Sequence, residues 1–335
     1  MQFKKIIFLL AFIGTIFGFQ YFSILEKNDN NSFDGHRSRI GIFQPTTHPA
    51  LDEIAQAFID SMQSGNINYD CTVYNANGNT MLMQAQAQEM IQSNYDLIFT
   101  IGVGCSLAIK EICSKKQSEI PVVFCAVDDP VKLNLDGKNI TGVIEVMNYP
   151  EQLNLLLQIK PTIKKLLLVY DVVQASGLEK DKDEIRAILK DKNITLESIE
   201  ISNISEIQQK VTGVITQADV VMILKDNTMV SGIDSLITLC QRYHVPLLAT
   251  DLNSGTKGAV LAYGFYEAQS GIQGSDQAKL ILEQGMKPCN VPIVAVQGMR
   301  MVINCSQMKL QGLDINLATL SLHDVELNKK GLDDV

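Results

Sequence analysis

The chain has 335 residues, of which 46% are hydrophobic, and it carries a formal net charge of −9. This length suits two domains with well-buried cores, and the acidic balance disfavours a nucleic-acid partner, which would need a basic face. The four histidines are scattered and the seven cysteines form no C-x-x-C pair. We therefore predict neither a metal site nor a cofactor.

The N-terminal segment, residues 1–25, indicates export. A basic start, MQFKK, precedes an apolar run at 6–19 that continues through 21–25. This layout is typical of a secretory signal peptide. At about 20 residues the run could equally stay uncleaved as a single membrane anchor. Residues 26–38 are polar and read as a linker, so we expect the rest of the chain in the periplasm or at the cell surface.

Beyond the linker, apolar segments with strand character alternate with helical patterns. Strands are predicted at 39–43, 71–76, 96–102 and 121–127, with helices at about 50–64, at about 79–93 and in a segment ending near Cys113. The strands are rich in Val, Ile and Leu rather than alternating in polarity, which is typical of parallel strands covered on both faces.

The second half of the chain repeats this order. Ile98 corresponds in position to Met222, and Pro121 to Pro246. The predicted strands are 165–171, 195–201, 219–226 and 245–251, and the predicted helices are about 178–192, 205–217 and 229–243. The repeat predicts an α/β protein with two similar doubly wound parallel-sheet lobes.

Three segments are candidates for crossings between the lobes, namely 139–152, 257–267 and 294–304. Three adjacent crossings would form a multi-strand hinge rather than a loose tether. The resulting boundaries are 39–143 with about 265–297 for lobe one, 144–264 with about 298–320 for lobe two, and 321–335 as a polar C-terminal tail.

Ligands of open parallel sheets bind beyond the carboxyl ends of the strands. The residues that follow the predicted strands are mostly small and polar, and we expect them to face one another across a cleft. The candidate ligand-binding residues are Gln44, Thr46, Thr47, His48, Gly102, Gly104, Cys105, Ser106, Asp128 and Asp129 in lobe one, and Asp171, Ser176, Asp226, Asn227, Thr228, Asp251 and Asn253 in lobe two.

Such a cleft suits a ligand with an amino group and a carboxylate. The aspartates could pair with the ammonium, and backbone N–H groups at the helix starts after Gly104 and Thr228 could bind the carboxylate.

Each candidate also has a plainer interpretation. An Asp after a strand is often only a helix N-cap, and His48 could be a loop hydrogen-bonder. The segment Gly102-Val103-Gly104 lacks the third glycine of a dinucleotide fingerprint and the Lys of a P-loop. Cys105 stands where a nucleophile could stand, but the G-x-S-x-G frame is absent and no base can be assigned to it.

Several motifs, taken in order, resemble the substrate-binding proteins of ABC transporters with the type I periplasmic-binding fold, in the branch that includes tryptophan and tyrosine binders. The resemblance covers about residues 38–315, and its motifs lie at 41–58, 96–109, 120–131, 139–143, 225–232, 245–271 and 310–315. It implies capture of a small ligand between two lobes and delivery to an ABC permease in the membrane. The ligand loops that it implies are Gln44, Thr46 and His48 with 102–106, 127–129, 226–228 and 251–253.

The favoured function is therefore a solute-binding component of an ABC importer that closes on a small polar ligand. The ligand is expected to be an amino acid, and an aromatic one by resemblance. One alternative is a ligand-sensing domain tethered by residues 6–25. Another is a two-lobed racemase-type enzyme, which would need two opposed acid–base residues; Cys105 is available, but Cys240 is predicted on a helix far from the cleft.

Overall fold

The computed structural model describes residues 37–65, 69–171, 178–315 and 325–329. The strands are β1 (Arg39–Gln44), β2 (Asp70–Asn75), β3 (Leu97–Ile101), β4 (Val122–Val127), β5 (Ile140–Ile144), β6 (Lys165–Asp171), β7 (Thr195–Ile201), β8 (Val220–Ile223), β9 (Leu247–Ala249), β10 (Leu261–Gly264), β11 (Val294–Ala295), β12 (Arg300–Asn304) and β13 (Val325–Asn328). The helices are α1 (Pro49–Gln63), α2 (Thr80–Gln92), α3 (Val103–Lys116), α4 (Tyr149–Ile159), α5 (Leu178–Asp191), α6 (Glu206–Thr212), α7 (Asn227–Ser231), α8 (Ile233–Tyr243), α9 (Leu252–Lys257) and α10 (Ala268–Leu282).

Lobe one is built on a parallel sheet with strand order β11-β5-β4-β3-β1-β2. Helices α1 and α10 cover one face, where Phe58 stacks on Phe99 with ring centroids 4.0 Å apart. Helices α2 and α3 cover the other face, with Met90 and Ile109 in its core. The close approach of α10 to α1 requires a glycine, since a Cβ on Gly271 would lie 2.2 Å from the carbonyl oxygen of Ile54.

Lobe two repeats the plan with strand order β13-β12-β10-β9-β8-β6-β7. Helices α4 and α5 pack on one face and α6 and α8 on the other, so the central strands β6, β8, β9 and β10 are buried on both sides as predicted, whereas the edge strands β7 and β13 are partly exposed. The sheet is not wholly parallel, because β12 runs antiparallel to β10. The reason is topological: β12 enters the lobe directly from the hinge, without a helical crossover that would restore its direction.

The chain passes between the two sheets three times. The crossings are residues 145–148 between β5 and α4, 265–267 between β10 and α10, and 296–299 between β11 and β12. The predicted fold of two parallel-sheet lobes with a multi-strand hinge is therefore confirmed. The ammonium of Lys225, just after β8, lies 3.3 Å from a carboxylate oxygen of Glu145 and 3.0 Å from one of Glu267, and we call these three residues the hinge ion cluster.

Two predicted helices are interrupted at a glycine: one is divided and the other ends early. The helix predicted at 229–243 divides into α7 and α8 at Gly232, where an added Cβ would meet the Cδ1 atom of Ile207 at 2.5 Å. The helix predicted at 205–217 ends at Thr212, before Gly213.

The predicted polar tail at 321–335 is also wrong in part, because residues 325–328 form β13, which pairs with β12. Val325 and Leu327 pack against the lobe-two core, whereas Glu326 pairs with Arg300 at 3.3 Å. Four alternating residues are too short a pattern to stand out in the sequence.

Residues 1–36, which contain the predicted signal or anchor and most of the linker, lie outside the described residues. Within the described ranges, no helix combines the length and the apolar character needed to cross a bilayer.

Candidate functional site

The tip of β1 carries a polar side chain that is buried and only partly bonded. Gln44 is 4% exposed, and its amide nitrogen donates to the carboxylate of Asp52 on α1 at 2.8 Å. Its amide oxygen is buried and has no hydrogen-bond partner. Buried acceptors are rarely left unpaired, so this atom is a candidate ligand contact.

The next residues of this loop mainly organise the start of α1. The Nδ1 atom of His48 accepts from the backbone N–H of Ala50 at 3.3 Å, which makes His48 the helix N-cap and leaves its ring exposed. The Thr47 hydroxyl accepts from the side-chain amide of Asn75 at 2.9 Å and so joins the tips of β1 and β2. Thr46 is half-buried.

Of the residues that follow β3, some are accessible and others are buried in the core of lobe one. Gly102 has φ +83°, a conformation that favours glycine, and Gly104 is exposed at the first turn of α3. Cys105 and Ser106 instead point into lobe one, which corrects their prediction as ligand contacts. Cys105 is fully buried, and Ser106 lies 2.8 Å from the hydroxyl of Thr100 while donating to the Gly102 carbonyl.

Burial raises the pKa of Cys105 to about 12, so its thiol stays protonated at neutral pH. A protonated, inaccessible thiol is neither a nucleophile nor an acid–base residue.

A bulge shapes the β4 tip. The pairing of β4 with β5 shifts register between Phe124 and Val127, and Ala126 adopts φ +53°. Bulges of this kind redirect a strand end and are common beside functional sites. Asp128 follows the bulge and is exposed, whereas Asp129 accepts from the backbone N–H of Lys132 at 3.0 Å and caps the following turn.

In lobe two, Asp226 is a structural N-cap. One of its carboxylate oxygens accepts from the backbone N–H of Met229 at 2.7 Å, and the other accepts from the backbone N–H of Asp171 at 3.1 Å. Asp171 in turn accepts from the Thr228 hydroxyl at 2.6 Å. Burial raises the pKa of Asp226 even though these donors oppose the shift. The network joins the tips of β6 and β8; Asn227 begins α7, and Ser176 lies outside the described residues.

The tip of β9 shows the same division of roles. Asp251 caps α9 by accepting from the backbone N–H of Ser254 at 2.8 Å and from its hydroxyl at 2.6 Å, and Asn253 is exposed. The preceding Thr250 is 1% exposed, and its hydroxyl has no partner. Sequence reasoning missed Thr250, although a polar residue directly at the end of an apolar strand was the signal that could have found it.

Sequence reasoning also missed the hinge ion cluster, although Lys225 is a charged residue near the end of the strand predicted at 219–226. Burial lowers the pKa of Lys225, but the carboxylates of Glu145 and Glu267 more than offset this effect, so the net pKa is raised. The ammonium also lies 4.8 Å from the ring centre of Phe265 on the second crossing. One cation from lobe two thus contacts two of the three crossings.

The tip of β4 in lobe one lies near the first turns of α4 and α5 in lobe two. Burial raises the pKa of Asp181 in the first turn of α5, and the negative charge of Asp128 from lobe one adds to the shift. The Asp181 carboxylate accepts a hydrogen bond from the hydroxyl of Tyr149 in the first turn of α4. The β4 tip and these two helix starts therefore lie on opposite walls of one cleft.

A separate cavity of 770 Å³ lies at the other end of lobe one, at the amino ends of β4 and β5 beside Val122 and Ile140. Among the described residues, none of the buried unpaired side-chain atoms belongs to its lining. We therefore place the candidate site at the cleft between the lobes.

A model of the ABC transporter substrate binding protein family matches residues 39–324. The chain belongs to this family. The Tyrosine-binding protein of Clostridioides difficile (strain R20291) is 24% identical over 296 residues, which cover 84% of each chain.

Two solved structures share the fold. A ligand-free, open substrate binding protein with adhesive properties from Clostridium difficile has a TM-score of 0.74 at 21% identity and covers 87% of this chain and 99% of that one. An ABC domain in complex with L-Trp from Streptococcus pneumonia has a TM-score of 0.70 at 20% identity and covers 88% and 100%.

The family and these neighbours are substrate-binding proteins, not enzymes. The racemase-type alternative is therefore not supported, in keeping with the inert thiol of Cys105.

Proposed function

We propose that this substrate-binding protein is the extracytoplasmic component of an ABC importer and closes its two lobes on an amino acid with an aromatic side chain. The observation that carries the proposal is a pair of buried, unpaired polar atoms at strand tips, the Gln44 amide oxygen in lobe one and the Thr250 hydroxyl in lobe two. A ligand bound between the lobes would satisfy both atoms, and satisfying them would favour the closed state.

The charged groups support a zwitterionic ligand. Asp226 and Asp251 are buried and accept from the backbone N–H groups of the helices that they cap. The Asp128 carboxylate accepts from the backbone N–H of Asp129 at 2.9 Å but is exposed, and its negative charge acts on Asp181 of lobe two. Two carboxylates that repel each other across a gap would both be stabilised by an ammonium between them. The carboxylate of the ligand would be bound by backbone N–H groups near Gly104, at the start of α3.

The aromatic class rests on the relatives, one named for tyrosine binding and one solved with L-Trp. We also propose that residues 1–25 direct export, as a cleaved signal or as an anchor, because members of this family are extracytoplasmic. The polar contacts proposed for the ligand are Gln44, Thr46, His48, Gly102, Gly104, Asp128, Thr228, Thr250 and Asn253.

Calorimetry and thermal denaturation of the purified protein with each of the twenty amino acids test the proposal. A ligand at 100 times its Kd should stabilise the protein by about 2.7 kcal/mol, and chromatography should recover it unchanged. The variant Asp128→Asn should bind at least about tenfold more weakly with unchanged stability, since a charge-assisted hydrogen bond contributes about 1.5–3 kcal/mol.

Uptake of the identified amino acid by cells that lack the protein then tests the importer role. Binding with unimpaired uptake would favour the sensing alternative, and the absence of binding to any amino acid would contradict the proposal.

A further inference from the structure

We infer that Gln152 and Thr250 together form the subsite that recognises a polar group at the end of the ligand's side chain, so that tyrosine is bound in preference to phenylalanine. This inference rests on the proposed function and adds the residues that would select among aromatic amino acids.

The central observation is the state of Gln152 in the first turn of α4. Its side chain is completely buried, and neither its amide nitrogen nor its amide oxygen has a hydrogen-bond partner. An amide buried without partners loses its hydration and gains nothing in return, so a folded protein keeps one only when something else satisfies it. The described residues around the first turn of α4 do not do so, although its neighbour Glu151 accepts from the Tyr263 hydroxyl at 3.2 Å.

The first turn of α4 borders the cleft. Tyr149, in the same turn as Gln152, donates to Asp181, and the negative charge of Asp128 on lobe one adds to the raised pKa of Asp181. Asn148 caps the helix at the point where the first crossing enters lobe two. Gln152 therefore lies at the cleft end of lobe two and not at its far end.

Thr250 lies on the same side of the sheet. Leu248 of β9 packs in the cluster that contains Leu153 and Leu156 of α4, whereas Leu247 and Ala249 pack in the cluster on the opposite face. Side chains alternate along a strand, so the next residue, Thr250, is directed toward the α4 side. Its hydroxyl is buried and unpaired like the amide of Gln152.

The two side chains complement a hydroxyl group. The amide offers both a donor and an acceptor, and the threonine hydroxyl can act as either. A site that buries such groups to bind a ligand hydroxyl discriminates strongly against the analogue without it, because the analogue leaves them unpaired. Phenylalanine is that analogue of tyrosine.

The test measures the affinity of the whole protein for L-tyrosine and L-phenylalanine by calorimetry, for the wild type and for the variants Gln152→Met and Thr250→Val. Both substitutions remove the polar atoms and keep the shape nearly unchanged. We expect the wild type to prefer tyrosine at least tenfold, each variant to lose about tenfold or more in tyrosine affinity, and phenylalanine affinity to stay within about twofold. The melting temperature of the ligand-free variants should stay equal or rise, because an unpaired buried group has been removed.

Ser198→Ala is the matched control. The Ser198 hydroxyl is also buried and unpaired, but it lies on the edge strand β7. Its removal should leave both affinities unchanged.

Three results would overturn the inference. If the ligand-free Gln152 and Thr250 variants melt lower and their tyrosine affinity is unchanged, the two groups are satisfied by ordered water and serve the fold alone. A wild type that binds an amino acid without preferring tyrosine over phenylalanine would refute the subsite and leave the proposed function standing. A wild type that binds no amino acid would refute both, and that failure would be visible without any variant.

Discussion

Substitution of Asp226 by alanine tests whether its carboxylate stabilises the fold or binds the ligand. The variant loses two hydrogen bonds, one from the backbone N–H of Met229 and one from the backbone N–H of Asp171. Loss of an N-cap destabilises by about 0.5–2 kcal/mol, and leaving a buried N–H without its acceptor adds about 1–3 kcal/mol. Removal of the like charge beside Asp171 offsets part of this loss, so we expect a net destabilisation of roughly 2 kcal/mol.

Urea unfolding of the wild type and of Asp226→Ala measures this free energy, and ligand titration at a concentration of urea far below the transition measures the affinity. We expect the destabilisation together with an affinity reduced no more than about threefold, since about 0.6 kcal/mol corresponds to that factor. Asp128→Asn is the converse control, because its exposed carboxylate should affect affinity and not stability. If Asp226→Ala kept full stability and abolished binding, Asp226 would be a ligand contact and its assignment as a helix cap would be wrong.

Three further predictions concern the hinge, the core and the packing of helices. Replacing Lys225 with Met leaves the glutamates of the hinge ion cluster unneutralised, and it removes the positive charge that opposes the raised pKa of Glu267. A carboxyl whose pKa is raised in the folded state contributes less stability as pH rises above its ordinary value of 4.5. The variant should therefore lose stability relative to the wild type above pH 4.5 in urea unfolding, and parallel curves would contradict this. Cys105 should resist a thiol reagent in the native protein and react with it in urea, whereas the exposed Cys289 should react under both conditions. Mass spectrometry of the labelled peptides measures the labelling of each cysteine, and labelling of Cys105 in the native protein would contradict its burial. Gly271→Ala should destabilise the protein by about 1–3 kcal/mol, because the added Cβ would clash with the backbone of α1. Gly213→Ala is the control and should be neutral or slightly stabilising, because the space around its Cβ is open. Equal effects of the two substitutions in thermal unfolding would refute the packing argument.

The order of the elements could be predicted because it depends on local chemistry. The apolar run of β3 and the helical spacing after Pro49 specify a strand and a helix without reference to the rest of the chain. Repetition of that order predicted two lobes, and the three apolar segments between them predicted the hinge. The side of each sheet on which the ligand loops lie could also be predicted, because the carboxyl ends of parallel strands all lie on the same side.

The role of each polar side chain at that edge required the tertiary structure. Asp226 and Asp128 both follow strands, but the first turns back onto its own helix and the second faces the opposite lobe. Cys105 and Ser106 belong to the loop that sequence analysis selected, but the rotation of α3 directs them into the core.

Gln152 could not be found from the sequence at all, because a glutamine in a helical first turn normally faces water. Its burial depends on the sheet that α4 covers. Secondary structure depends mainly on residues that are neighbours along the chain. Whether a buried polar atom has a hydrogen-bond partner depends on residues that are neighbours in space, and only the packing of the lobes determines which residues these are.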